Sequence, residues 1–187
     1  MEYWENRYAV MAPEKVVGDM RWDEDVYACE QEKFAARMRP CLKRHLSVLD
    51  YGCGIGRWTF FLSEDGRGYV GYDPVPRAIE IAEDLNPREL FTTDRELCDN
   101  ADLGWTCTVL QHLCDSQVID ALSFLREKCE RLILVENVSQ HNDRDYIYFR
   151  TIAQYVMLMR AAGWIWGQDF IHVFGNEAHG VIFGEKK

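Results

Sequence analysis

The sequence predicts a doubly wound α/β fold with a mostly parallel sheet and a β-hairpin at its C-terminal end. Three observations carry this. A short apolar run, Ser47-Val48-Leu49, ends in Asp50 and enters a glycine-rich loop, Gly52-Cys53-Gly54-Ile55-Gly56, before an apolar, helix-like segment from Arg57 to Leu62. Strand-like and helix-like segments then alternate five times, which implies parallel strands joined by right-handed crossovers. Finally, two strand-like runs, around Phe170 to Phe174 and Gly180 to Phe183, are joined by Gly175-Asn176-Glu177-Ala178, a hairpin signal.

The chain has 187 residues, 48% of them hydrophobic. That is enough for one domain with a full core. The net charge of -10 argues against a large polyanionic partner, which a protein engages through Lys and Arg. A local basic run, Lys33, Arg37, Arg39, Lys43 and Arg44, reads as a solvated helix face. No apolar run approaches the roughly 20 residues of a membrane span, and the start Met1-Glu2-Tyr3-Trp4-Glu5 does not read as a signal peptide. The seven cysteines contain no Cys-x-x-Cys pair, so neither a zinc site nor a disulfide framework is expected, and no metal ligand set is assigned. A reducing, cytoplasmic setting is the simplest expectation.

Residues 1–45 read as an aromatic-rich helical cap, and residues 46–187 as the α/β domain. In the cap, a helix is predicted from about Asp25 to Met38, closed by Pro40. Trp4 and Tyr8, spaced i and i+4, lie on one helical face that either joins the core or looks into a pocket.

The glycine loop fits a nucleotide-like ligand at the end of a strand. A dinucleotide loop, Gly-x-Gly-x-x-Gly, would put its third glycine at position 57. Arg57 stands there, and the third glycine comes one residue early, at Gly56. A nicotinamide-dependent oxidoreductase is therefore disfavoured. The next strand, Gly68 to Asp73, ends in an acid about 20 residues after the first glycine, where a carboxylate accepts the hydroxyls of a ribose. Pro74 is predicted to open the following helix, striped by Val75, Ala78, Ile79 and Ala82.

Leu90 to Thr92 reads as a third strand, with Asp94 in the turn after it. Leu103 to Leu110 reads as a fourth, followed by Gln111 and His112 and a helix striped by Val118, Ala121, Leu122 and Leu125. Leu132 to Glu136 is a continuous apolar strand ending in an acid, as in a sheet covered on both faces. A polar stretch from Asn137 to Asp145 leads into a helix striped by Phe149, Ile152, Ala153 and Val156, with Gly163 as its C-terminal glycine.

Over roughly residues 40 to 187 the chain resembles the class I S-adenosylmethionine-dependent methyltransferases. The resemblance rests on Val48-Leu49-Asp50-Tyr51-Gly52-Cys53-Gly54-Ile55-Gly56, on Gly71-Tyr72-Asp73, on Thr108-Val109-Leu110-Gln111-His112 and on the terminal hairpin. It implies a three-layer αβα sandwich around a seven-stranded sheet, with the last strand antiparallel between its neighbours. It also implies S-adenosylmethionine as methyl donor and S-adenosylhomocysteine as product. In this pattern Asp50, Tyr51, Gly52, Cys53, Gly54 and Gly56 line the cofactor, Asp73 takes its ribose with Pro74 beside it, and Leu110 and His112 pack near it; Asp94 either accepts from an adenine amino group or belongs to an ordinary polar turn.

A methyl acceptor that is protonated at rest needs a base, and Glu136 and His141 are the candidates. Tyr3, Trp4 and Tyr8 are candidates for closing over the acceptor, an aromatic face also suiting a sulfonium charge. A small-molecule O or N acceptor is the expected substrate. A protein or RNA acceptor, or a domain that binds the cofactor without turning it over, remains open.

Overall fold

The computed structural model describes residues 2–10, 24–42, 45–139, 147–174 and 177–186. They fall into two compact units, residues 1–99 and residues 100–187. His141 and Trp22 lie outside the described residues.

In the first unit, helices α1 (Glu2–Val10) and α2 (Glu24–Leu42) precede β1 (Ser47–Tyr51), α3 (Thr59–Leu62), β2 (Gly68–Tyr72), α4 (Pro76–Leu85) and β3 (Leu90–Thr92). The three strands are parallel, with β2 between β1 and β3. Asp50 pairs with Gly71, and Gly71 with Phe91. A Cβ on Gly71 would come within 2.6 Å of the Phe91 ring, so this position needs glycine for close packing of the strand ends.

Three sequence expectations change here. The helix predicted from Asp25 to Met38 runs through Pro40 to Leu42. Phe34, Ala35, Met38 and Leu42 are all fully buried, so the apolar stripe continues past the proline. In a last turn, proline forfeits one backbone bond while keeping a helical φ. The helix predicted to open at Pro74 opens at Pro76, with Val75 extended before it, as a residue preceding proline prefers. The segment predicted helical from Arg57 is helical only from Thr59, because the glycine turn extends to Trp58. Arg67 then stops this short helix by donating to the carbonyls of Phe61 and Leu62.

The second unit contains β4 (Ala101–Cys107), α5 (Asp115–Lys128), β5 (Cys129–Asn137), α6 (Ile152–Ala161), β6 (Ile165–Phe174) and β7 (Glu177–Glu185). Strand β4 is parallel to β5, and β7 lies antiparallel between β5 and β6. The hairpin and the antiparallel last strand are thus as expected. The fourth strand stops at Cys107 rather than Leu110, because Thr108 turns with φ of 58° into a 3-10 turn, Leu110–His112.

Helix α6 buries Tyr155, Val156 and Met159, while Phe149 lies before it and Ala153 is exposed, against the predicted stripe. Its start is set by Thr151 and Gln154, whose side chains and backbone N–H groups bond reciprocally. Gly163, with φ of +84°, ends it as expected. Among the described residues, no helix is long and apolar enough to cross a membrane.

Candidate active site

The glycine loop is a backbone turn folded onto its own strand ends. Gly52, Gly54 and Gly56 have φ of 78°, 55° and 76°, a region that residues with a Cβ rarely occupy. The N–H groups of Gly52 and Cys53 both donate to the Tyr72 carbonyl, at 2.7 and 3.0 Å, and that of Gly56 donates to the Cys53 carbonyl at 3.0 Å. The Gly54 N–H donates to Asp73 Oδ2 at 3.0 Å, and the Val75 N–H to Asp73 Oδ1 at 3.0 Å. These loop donors are therefore committed inside the protein, whereas a phosphate cradle presents its N–H groups outward.

Two acids flank the loop. Asp50 is buried and accepts from the Tyr69 hydroxyl at 2.9 Å, and Tyr69 in turn accepts from Thr59 Oγ1 at 3.1 Å. Burial raises the Asp50 carboxyl to about 7, against the lowering effects of the Tyr69 hydrogen bond and Arg57. Burial likewise raises Asp73 to about 6, opposed by the N–H groups of Val75 and Gly54. Cys53 is buried, and its thiol is pushed well above the ordinary range by burial and by Asp50. Tyr69, Thr59 and their link to Asp50 were missed in the sequence, where Tyr69 read only as a strand residue. Its pairing with Val48, two residues before Asp50, is visible only once the register is known.

The remaining candidates of the first unit differ in setting. Tyr51 is buried, 5.1 Å from the Tyr72 ring. Arg95 lies over both rings and donates to the Tyr51 hydroxyl. Pro74 is exposed beside Asp73. Asp94 caps the turn Arg95–Leu97, its Oδ1 accepting the Glu96 N–H at 2.9 Å. Of the aromatic trio on α1, Tyr8 is buried against Ile55, Val75, Ala78 and Ile81, with Trp4 packed beside it. Burial, and next the Asp73 charge, push its phenol above the ordinary range. Tyr3 is exposed and accepts from Arg7.

In the second unit, Glu136 is fully buried at the end of β5. Its Oε1 accepts the N–H groups of Val109 and Leu110 at 3.2 and 3.0 Å, and its Oε2 that of Gln111 at 3.1 Å. Burial raises its carboxyl to about 7, while these N–H groups and Arg150 pull it down. The turn so held contains Leu110, fully buried, and His112, whose Nε2 lies 3.2 Å from Gln111 Nε2.

Residues 22–172 match the family described as methyltransferase domain. The chain belongs to the methyltransferase-domain family. Its fold, a seven-stranded, mostly parallel sheet with antiparallel C-terminal strands and flanking helices, is that of the class I S-adenosylmethionine-dependent methyltransferases, as the sequence implied. The cofactor of this family is S-adenosylmethionine. Helix α1, with Tyr3, Trp4 and Tyr8, lies outside the matched residues.

Similar solved structures include the magnesium protoporphyrin IX methyltransferase of Synechocystis PCC 6803 with bound S-adenosylmethionine. That protein is 16% identical, with 100% of this chain and 92% of that chain covered and a TM-score of 0.70. The Burkholderia thailandensis 1,6-didemethyltoxoflavin N1-methyltransferase, with bound 1,6-didemethyltoxoflavin and S-adenosylhomocysteine, is 20% identical over 84% of this chain and 78% of that chain, with a TM-score of 0.69. The [4+2]-cyclase SpnF is 16% identical over 91% of this chain and 84% of that chain, with a TM-score of 0.68. Among curated proteins, none matches the sequence.

Proposed function

We propose that this methyltransferase transfers the methyl group of S-adenosylmethionine to a small-molecule O or N acceptor by in-line displacement. The observation that carries the cofactor reading is the commitment of the Gly52, Cys53 and Gly54 N–H groups to Tyr72 and Asp73. A loop with its donors spent and two acids beside it fits a ligand bearing two cations, one carboxylate and a ribose, and no phosphate. The cofactor supplies, when bound, a methyl carbon already activated by a sulfonium. What remains for the chain is binding and alignment, an effect of roughly 7–11 kcal/mol where geometry is ideal.

Asp73 is the proposed ribose acceptor, and Asp50, fixed by Tyr69, the group that offsets the cofactor's ammonium. Gly52, Gly54 and Gly56 keep the approach to the loop clear, with Tyr51, Cys53 and Pro74 bordering it. Asp94 remains proposed for the adenine amino group, and Leu110 and His112 as cofactor contacts. Glu136 is better suited to anchoring its turn than to taking a proton, since it is fully buried and its two oxygens accept three backbone N–H groups. His141 keeps its proposed role as a base. Residues 1–45 are proposed as a cap and 46–187 as the methyltransferase domain. Within the cap, Trp4 and Tyr8 are proposed to close over ligand, with Tyr3 as a peripheral member.

A small acceptor is favoured by the net charge and by the state of the basic run. Arg39 is forked onto Glu64 and paired with Glu32, and Lys33 is paired with Glu30, so these cations are already neutralised. The small molecules named for the Synechocystis and Burkholderia proteins point the same way. A reducing, cytoplasmic setting is supported by cysteines 53, 98, 107 and 129, which pack as small core hydrophobes. Transfer of labelled methyl from the cofactor over a panel of small amines, phenols and carboxylic acids, beside peptides and RNA, tests the acceptor class.

A further inference from the structure

The turn that bears Gln111 and His112 is gripped from two sides. Glu136 takes its N–H groups, as described. The carbonyls at its two ends, of Leu110 and Leu113, are taken by one arginine from beyond the polar loop. Arg150 Nη1 donates to the Leu110 carbonyl at 3.0 Å, and Nη2 to the Leu113 carbonyl at 2.7 Å. Nε and Nη2 also donate to Asp115 Oδ1, at 2.9 and 2.6 Å, in the first turn of α5. Two residues upstream, the Tyr148 N–H donates to the Gln111 carbonyl at 2.7 Å, and the Arg150 guanidinium lies over the rings of Tyr148 and Tyr155. The Arg150 side chain is only 4% exposed, whereas that of Asp115 is 73% exposed.

The guanidinium fork is what makes this possible, because it reaches two carbonyls and a carboxylate in one plane, which an ammonium cannot do. A surface ion pair would contribute little. Here the arginine is buried and two of its four hydrogen bonds go to backbone carbonyls, so its role is to fix geometry.

We propose that Arg150 is a positioning residue that locks the segment from Ile147 to Arg150 to the Gln111–His112 turn, so that cofactor binding at the turn orders that segment as well. This rests on the reading of His112 and Leu110 as cofactor contacts. In this role Arg150 acts through the carbonyls of Leu110 and Leu113. The coupling is reciprocal, since two sites linked through one rigid element shift each other's occupancy by the same factor.

The test uses the full chain, with S-adenosylhomocysteine as probe, read by calorimetry and by amide hydrogen exchange. In wild type, the probe should protect residues 108–113 and 147–151 together. Arg150→Lys keeps the charge and loses the fork. It should weaken the probe roughly five- to tenfold, keep protection at 108–113 and lose it at 147–151. If Arg150→Lys does not fold, Asp115→Asn, on the exposed partner, should show the same loss at 147–151 with a smaller drop in affinity. A variant that binds as wild type and still protects both segments overturns the proposal. Wild type that binds the probe without protecting 147–151 also overturns it. Wild type that does not bind the probe overturns the cofactor reading and this coupling with it.

Discussion

Asp73 accepts the Gly54 N–H through Oδ2 at 3.0 Å, so the acid that ends the second strand holds the loop that ends the first. The two features that pointed to a nucleotide-like ligand are one hydrogen-bonded unit. Asp73 and Asp50 both lie at that unit, and burial raises both carboxyls, to about 6 and about 7.

This has a pH consequence. For a group whose pKa is raised by folding, stability is fully present below the unfolded value, 3.8 for each aspartate, and is lost as pH rises through the folded value. The ligand-free protein should therefore lose stability from these groups between about pH 4 and pH 7, with Glu136 adding to the trend. A cationic ligand favours the ionised acids, so cofactor affinity should rise over pH 5.5–7.5, by at most about tenfold per unit for each coupled acid. Calorimetry at several pH values, in buffers of different ionisation heat, should find protons released on binding. Affinity that does not change with pH would contradict this.

Gly56 and Gly66 offer a paired test of the loop. Both have positive φ, 76° and 74°. A Cβ on Gly56 would sit 2.6 Å from Asn86 Nδ2, whereas nothing lies within 4 Å of one on Gly66. Gly66→Ala should cost about 1 kcal/mol in backbone strain, and Gly56→Ala roughly 2–4 kcal/mol once the clash is added. Urea unfolding of both variants checks the order.

Glu136→Gln separates an anchor from a base. As an anchor, its replacement leaves N–H groups of Val109, Leu110 and Gln111 poorly met, at about 1–3 kcal/mol, or roughly 2–12 °C in melting temperature. Loss of turnover with unchanged stability, rescued at high pH, would instead mark a base.

Tyr8→Ala removes a buried ring from the cluster of Ile55, Val75, Ala78 and Ile81, and should cost about 3–5 kcal/mol. Tyr8→Phe keeps the packing and should stay near wild type in stability. With the first acceptor that turns over, Trp4→Ala should raise KM more than it lowers kcat. Unchanged KM in Trp4→Ala would remove the cap from the acceptor site.

The fold was legible because its signals are local. The apolar run into Gly52, the acid at Asp73 and the stripe at Val118, Ala121, Leu122 and Leu125 each lie within a few residues. Element ends were less so. Pro40 reads as a stop until Leu42 is seen to be buried, and Pro74 and Pro76 compete for one helix start. In the site, Asp50 and Asp73 were readable from position. Tyr69 and Arg150 were not, because their roles depend on strand register and on a contact with Leu110, 40 residues away in sequence. Glu136 was found for its place at the end of a strand, while its partners were set by the turn after β4.

The central claim is that the Gly54–Asp73 unit holds S-adenosylmethionine. The direct measurement is the melting temperature of wild type and Asp73→Ala with and without S-adenosylhomocysteine at about one hundred times its dissociation constant. Wild type should gain about 2.7 kcal/mol, or roughly 5–11 °C, and Asp73→Ala should lose most of that gain. A wild-type protein that melts at the same temperature in millimolar ligand would contradict it.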